Sequence, residues 1–256
     1  MESDAQPHLP ARLGRILEPE ERPPREMERL IRLMELFARL EPPPDPLGLF
    51  PRYAALKRRF LDACKDADGA CVEEAFLDLY CHVHGHEAPY TPEERRRVDR
   101  VGGYWCHAGG LSPVLKSPDH LRPGSVSADF GAGNGLQGLL MQKLMPHRKT
   151  IQIEISSKMV EAGRHLQAWL GIATRRVEWR VMDVMDAVPE GMDFIYLYRP
   201  VRPEGQGRRF YRRFADVLDR PASEVVIFSI ADCLREFLPA RFEVFYSDGH
   251  LTCFRT

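Results

Sequence analysis

From residue 125 to residue 255, short β-rich runs alternate with helical stretches, which restricts this part of the chain to a largely parallel sheet joined by crossover helices. Strands are expected at 125–130, 149–155, 177–182, 193–198, 224–230, 242–247 and 250–255. Helices are expected over roughly 136–146, 157–170 and 205–219, with a short one near 232–238. The rhythm breaks at the end. Arg241-Phe242-Glu243-Val244-Phe245-Tyr246 and His250-Leu251-Thr252-Cys253-Phe254 flank Ser247-Asp248-Gly249, the pattern of a hairpin and not of another crossover.

The preceding residues are organised differently. Residues 1–25 are rich in Pro, Glu and Arg with little apolar periodicity, so a poorly ordered arm is expected there. Met27, Leu30, Ile31, Met34 and Phe37 then recur at helical spacing, until the prolines of Glu41-Pro42-Pro43-Pro44-Asp45-Pro46 remove the amide donors a helix needs. A second helix carries Tyr53, Leu56, Phe60 and Cys64, and a third carries Val72, Phe76, Leu79, Tyr80 and Val83. Thr91-Pro92-Glu93-Glu94 opens a fourth with a cap, a first-turn proline and a glutamate three residues on. The domains expected are the arm at 1–25, a helical cap or substrate region at 26–120, and a ligand-binding α/β domain at 121–256.

Chemistry is concentrated in Ser127-Ala128-Asp129-Phe130-Gly131-Ala132-Gly133-Asn134-Gly135, a strand running into a glycine-rich turn that opens the helix from Leu136. Glycines there permit a sharp turn and the close approach of a ligand to the backbone. About twenty residues on, Glu154 ends the next strand, where a carboxylate can accept from a ribose diol, and Asp183 ends the third. Gly133, Gly135 and Gly138 also satisfy the dinucleotide pattern G-x-G-x-x-G, so an NAD-dependent oxidoreductase is a competing reading. The sign of charge separates the two. A carboxylate at Asp129, two residues before the first glycine, repels a diphosphate and suits a cationic ligand.

Asp129-Phe130-Gly131-Ala132-Gly133-Asn134-Gly135 resembles motif I of the class I S-adenosylmethionine-dependent methyltransferases. Ile153-Glu154-Ile155-Ser156-Ser157-Lys158-Met159 and Val181-Met182-Asp183-Val184 resemble that family's next two strand ends, so the resemblance covers residues 125–255. It implies a Rossmann-like seven-stranded α/β sheet with a C-terminal antiparallel hairpin, preceded here by the N-terminal helical region. It implies S-adenosyl-L-methionine as cofactor, with Gly131, Gly133 and Gly135 under its amino-acid part and Asp129 orienting that part. Glu154, followed by Ile155, would hold the ribose hydroxyls, Asp183 would meet the adenine amino group, and Met159 and Val184 would lie against the ring. A non-catalytic binder of the same cofactor is the alternative within this fold.

The fourth strand ends Tyr196-Leu197-Tyr198-Arg199-Pro200, which puts Tyr198 and Arg199 near the transferred methyl, makes both catalytic candidates and makes Tyr198 a cofactor contact as well. The family's enzymes that methylate the exocyclic amine of adenine carry Asn/Asp-Pro-Pro-aromatic there, and this chain does not. Gly102-Gly103-Tyr104-Trp105-Cys106-His107-Ala108-Gly109-Gly110 has the glycine ends of a cover, with Tyr104 a cofactor contact and His107 a candidate base. A formal net charge of -1 gives no strong nucleic-acid signal, so a small-molecule acceptor is expected. With no run of apolar residues long enough to span a bilayer and no basic leader at Met1-Glu2-Ser3-Asp4, the chain is expected to be cytoplasmic and away from membranes. No resident metal is expected, because Cys81-His82-Val83-His84-Gly85-His86 lacks a second clustered pair of ligands. The arginines of Arg208-Arg209-Phe210-Tyr211-Arg212-Arg213-Phe214 read as a solvated helix face.

Overall fold

The computed structural model describes residues 13, 17, 22–66, 68–85, 89–103, 110–219, 224–231 and 233–256. The chain divides into two compact units, Met1–Val83 and His84–Thr256.

The first unit holds α1 (Pro24–Arg39), α2 (Tyr53–Asp66) and α3 (Gly69–His84), whose last residue already counts with the second. Proline suits the first helical position, so α1 starts at Pro24, ahead of the expected Glu26. The face it buries is Met27, Leu30, Leu33, Met34 and Phe37; Leu33 takes the inward place expected for Ile31. Phe76 of α3 joins the three helices, its ring centre 5.5 Å from that of Phe37 and 5.4 Å from that of Phe60. Each fully buried ring contributes about 1.5–3 kcal/mol of transfer free energy. After the proline run, the Asp45 carboxylate accepts from the amides of Leu49 and Phe50, both at 2.6 Å, and turns the chain into α2. Within the stretch expected as a disordered arm, Leu13 and Leu17 are buried.

The second unit is built on β1 (Val126–Phe130), β2 (Lys149–Glu154), β3 (Val177–Val181), β4 (Phe194–Leu197), β5 (Val226–Ile230), β6 (Glu243–Ser247) and β7 (Leu251–Arg255). The strand order is β3-β2-β1-β4-β5-β7-β6. The first five strands are parallel, and β7 enters antiparallel between β5 and β6. The helices are α4 (Pro92–Arg100), α5 (Ser112–Lys116), α6 (Leu136–Leu144), α7 (Ser157–Trp169) and α8 (Gly205–Leu218). Sequence periodicity did not resolve α5, which is only five residues long. The short helix expected near 232–238 is reduced, among the described residues, to one turn in which the Leu234 carbonyl accepts from Phe237 and Leu238. No helix of the described residues is long and apolar enough to cross a membrane.

The two faces of the sheet differ in chemistry. On one, Val126, Ala128, Phe130, Ile151, Ile153, Ile195, Leu197 and Ile227 form an apolar layer with Phe210 and Phe214 of α8. The other face of β1 and β2 carries Ser127, Asp129, Thr150, Gln152 and Glu154, all buried. Ser127 and Thr150 are satisfied by His147, at 2.7 and 3.0 Å from its Nε2. Burial lowers the affinity of that imidazole for a second proton, which keeps it neutral.

Trp179 of β3 wedges between the glycine turn and α7, and its Nε1 donates to Gln167 at 2.9 Å. A Cβ on Gly163 would stand 2.2 Å from the indole and 2.8 Å from the Asn134 carbonyl. Gly163→Ala is therefore expected to destabilise the protein by about 1–3 kcal/mol through overpacking, read as a lower urea midpoint. An unchanged midpoint would show that the indole can move aside.

Candidate functional site

The carboxyl ends of β1, β2, β3 and β4 open into one cleft, with about 960 Å³ of empty space including the part open to solvent. Its lining contains Asp129, Gly131, Gly133, Glu154, Ile155, Met159, Asp183 and Val184, together with Tyr198 and Arg199. Crossover connections bring the acids together although they lie 25 and 29 residues apart in sequence, at 129, 154 and 183.

The turn after β1 is held from β2. The amides of Gly131 and Ala132 both donate to the Ile153 carbonyl at 2.9 Å. Gly131 has φ +80° and Gly133 φ +58°, in the left-handed region where a side chain is strained. Glu154 then ties the turn to the start of α7: its Oε2 accepts from the Gly133 amide at 2.8 Å and its Oε1 from the Ser156 amide at 2.9 Å. The carboxylate still has acceptor capacity left for a ligand. Burial pushes the Glu154 carboxyl up, and the amides of Ser156, Gly133 and Ile155 pull it back.

Asp129 has a different environment. It is 2% exposed, and burial, with the Glu154 charge nearby, pushes its carboxyl up to about 8 against the hydrogen bond from the Gly138 amide. This differs from the fixed negative charge expected at Asp129 from the sequence. A carboxyl with a pKa of about 8 is mainly protonated at neutral pH.

Asp183 accepts from the Met185 amide at 2.9 Å and caps the 3-10 turn Val184–Asp186. That turn is anchored from α8, where Arg213 donates to the Ala187 carbonyl at 3.1 Å and also to the Met185 carbonyl. Arg213 is thus a structural clamp beside the cleft and not part of a solvated face. Arg199 follows β4 with φ +41°, a strained conformation for a non-glycine residue, and lines the cleft.

Gly135 departs from the role implied for it. It is absent from the lining, and a Cβ there would stand 2.4 Å from Trp179, so its missing side chain serves packing. Tyr104 and His107 lie outside the described residues. Sequence reasoning missed Tyr196, Pro200, Val98 and Val101, which also line the cleft. Tyr196 was accessible through strand alternation, since it stands opposite Asp129 in the β1–β4 register. Val98 and Val101 had no such signal, because the sequence does not say where α4 docks. Of the Cys81–His86 stretch, His82 accepts from the Arg52 amide at 3.1 Å, and His84 lies 3.4 Å from Gln137 in the cleft-bearing unit.

A seven-stranded, Rossmann-like sheet with β7 antiparallel between β5 and β6 is the architecture expected from the sequence. No family model matches the chain, and no curated protein matches it. Among solved structures, an RNA methyltransferase from Salinibacter ruber in complex with S-adenosyl-L-homocysteine is similar at 19% identity, over 57% of this chain and 87% of that one, with a TM-score of 0.44. TrmN from Thermus thermophilus is similar at 19% identity, over 57% of this chain but only 46% of its own length, with a TM-score of 0.42. An rRNA methylase from Streptococcus thermophilus is similar at 15% identity, over 56% of this chain and 94% of that one, with a TM-score of 0.40.

Proposed function

We propose that the second unit binds S-adenosyl-L-methionine in this cleft and transfers its methyl group to an acceptor entering past Tyr198 and Arg199. The observation that carries the reading is the convergence of Asp129, Glu154 and Asp183 on one cleft around a turn whose glycines leave the backbone open. In this assignment Asp129 takes the ammonium, Glu154 the ribose hydroxyls and Asp183 the adenine amine, with Ile155, Met159 and Val184 against the ring. Transfer is a displacement in line: an acceptor lone pair bonds to the methyl carbon as the carbon–sulfur bond breaks, and a proton leaves the acceptor for solvent. Orientation and exclusion of water supply most of the acceleration.

The dinucleotide alternative loses its geometric support. It requires the second glycine of its pattern to approach a diphosphate, yet a Cβ on Gly135 would stand 2.4 Å from Trp179.

The acceptor end of the cleft pairs a phenol ring with a guanidinium, a combination that stacks on a planar ring and pairs with an anion. A nucleotide of RNA carries both features, so RNA is favoured here over the small-molecule acceptor expected from net charge. Incubation with methyl-labelled cofactor and either total RNA or a metabolite extract tests this. Label in RNA, with Tyr198→Ala lowering transfer at least about tenfold at unchanged S-adenosylhomocysteine affinity, is the expected result. Label in the metabolite fraction alone would return the acceptor to small molecules. Cofactor binding without transfer to either would favour the non-catalytic binder.

A further inference from the structure

Two buried oxygen atoms on opposed residues lack donors. Asp129 of β1 and Gln152 of β2 are partners in the parallel register, so their side chains leave the same face of the sheet. Asp129 is 2% exposed and Gln152 is fully buried. The Gln152 Nε2 donates to the Gly135 carbonyl at 3.1 Å, which fixes the orientation of the amide. Asp129 accepts from the Gly138 amide, and Gly138 also lies against the Gln152 amide group. What remains is Asp129 Oδ1 and Gln152 Oε1, each buried and without a hydrogen-bond partner.

A desolvated acceptor without a donor is unfavourable on each of these register partners, and a single proton on the carboxyl would supply a donor on that face. The ionisable groups that share the cleft with Asp129 are Glu154 from β2, Tyr196 and Tyr198 from β4 and its following turn, Arg199, Asp183, His84 and Tyr90. Glu154 is the one whose charge acts on it, raising its proton affinity further. Glu94 of α4 faces Glu154 in turn. The proton belongs on Asp129, because Glu154 has three backbone amides to stabilise its charge.

Building on the cofactor reading above, we infer that Gln152 is a positioning residue that accepts the carboxyl proton of Asp129 in the empty cleft, and that ligand binding exchanges this proton for a cationic amino group. The exchange balances. The Asp129 O–H bond breaks, the proton passes to buffer, and the carboxylate then accepts from the ligand ammonium, so no net charge is buried. The pair thereby selects ligands that bring an ammonium group and disfavours bare nucleosides.

Titration calorimetry of the full chain at pH 7, in two buffers of different ionisation enthalpy, counts the protons released. S-adenosylhomocysteine is expected to release close to one, and 5′-methylthioadenosine, which lacks the amino-acid part, none. Asp129→Asn keeps a donor toward Gln152 but cannot ionise; it should fold, bind S-adenosylhomocysteine about 10- to 100-fold more weakly, and release no proton. Gln152→Met tests the positioning role. Wild-type affinity should rise by up to about tenfold per pH unit and level off near pH 8, and loss of the acceptor should move that bend to lower pH. Binding of S-adenosylhomocysteine without proton release would overturn the exchange while leaving the cofactor reading intact, and an unmoved bend would remove Gln152 from it. Failure of S-adenosylhomocysteine to bind at all would overturn both.

Discussion

Glu154→Ala is expected to destabilise the protein by about 2–5 kcal/mol and to weaken S-adenosylhomocysteine binding about 10- to 100-fold. The carboxylate accepts one backbone amide on each oxygen, from Gly133 and from Ser156, so alanine strands two buried donors and unties the turn from α7. The sharper form of the expectation concerns glutamine. A carboxamide has one acceptor oxygen, and its NH2 group would face an amide N–H, so Glu154→Gln should recover little of either loss. Urea unfolding and calorimetry on the two variants check this. Near-wild-type behaviour of the glutamine variant would mean that only one of the two amides matters.

The second large effect is a dependence of stability on pH. The folded-state pKa of Asp129 is raised to about 8 from an ordinary value of 3.8, so the folded protein holds a proton that the unfolded chain releases. Stability from this group is complete below the unfolded pKa and is lost as pH rises through the folded one. The slope approaches about 1.4 kcal/mol per pH unit, or about 4 kcal/mol between pH 5 and pH 8 for this fully buried carboxyl. Asp129→Asn mimics the protonated form, so its stability relative to wild type should increase steadily over that window. Paired urea titrations at pH 5 and pH 8 measure the difference. A difference that does not change with pH would mean that Asp129 is ionised throughout.

Much of the architecture is written locally, and for that reason it was legible. The alternation of strand and helix patterns located all seven strands to within a residue or two, because burial on both faces of a parallel sheet demands short apolar or β-branched runs. The turn at Ser247-Asp248-Gly249 foretold the antiparallel β6–β7 pair, and the structure adds that Asp248 accepts from the amides of His250 and Leu251. The acids at 129, 154 and 183 were findable because strand ends are findable.

What was hidden depends on contacts distant in sequence. Gly135 looks like a ligand-facing glycine until Trp179, 44 residues later, is seen to occupy the space beside it. Arg213 looks like a surface arginine until the Val184–Asp186 turn is placed beside α8. The sequence names an aspartate at 129 but says nothing about its desolvation, and desolvation decides whether it carries a charge. The grouping of residues 84–120 with the sheet-bearing unit is likewise a property of packing and not of periodicity.

Titration of the full chain with S-adenosylhomocysteine and, separately, with NAD tests the central claim most directly. The account predicts saturable one-to-one binding of S-adenosylhomocysteine, weakened by Glu154→Ala and by Asp129→Asn, and no specific binding of NAD. Saturable binding of NAD without binding of S-adenosylhomocysteine would contradict it.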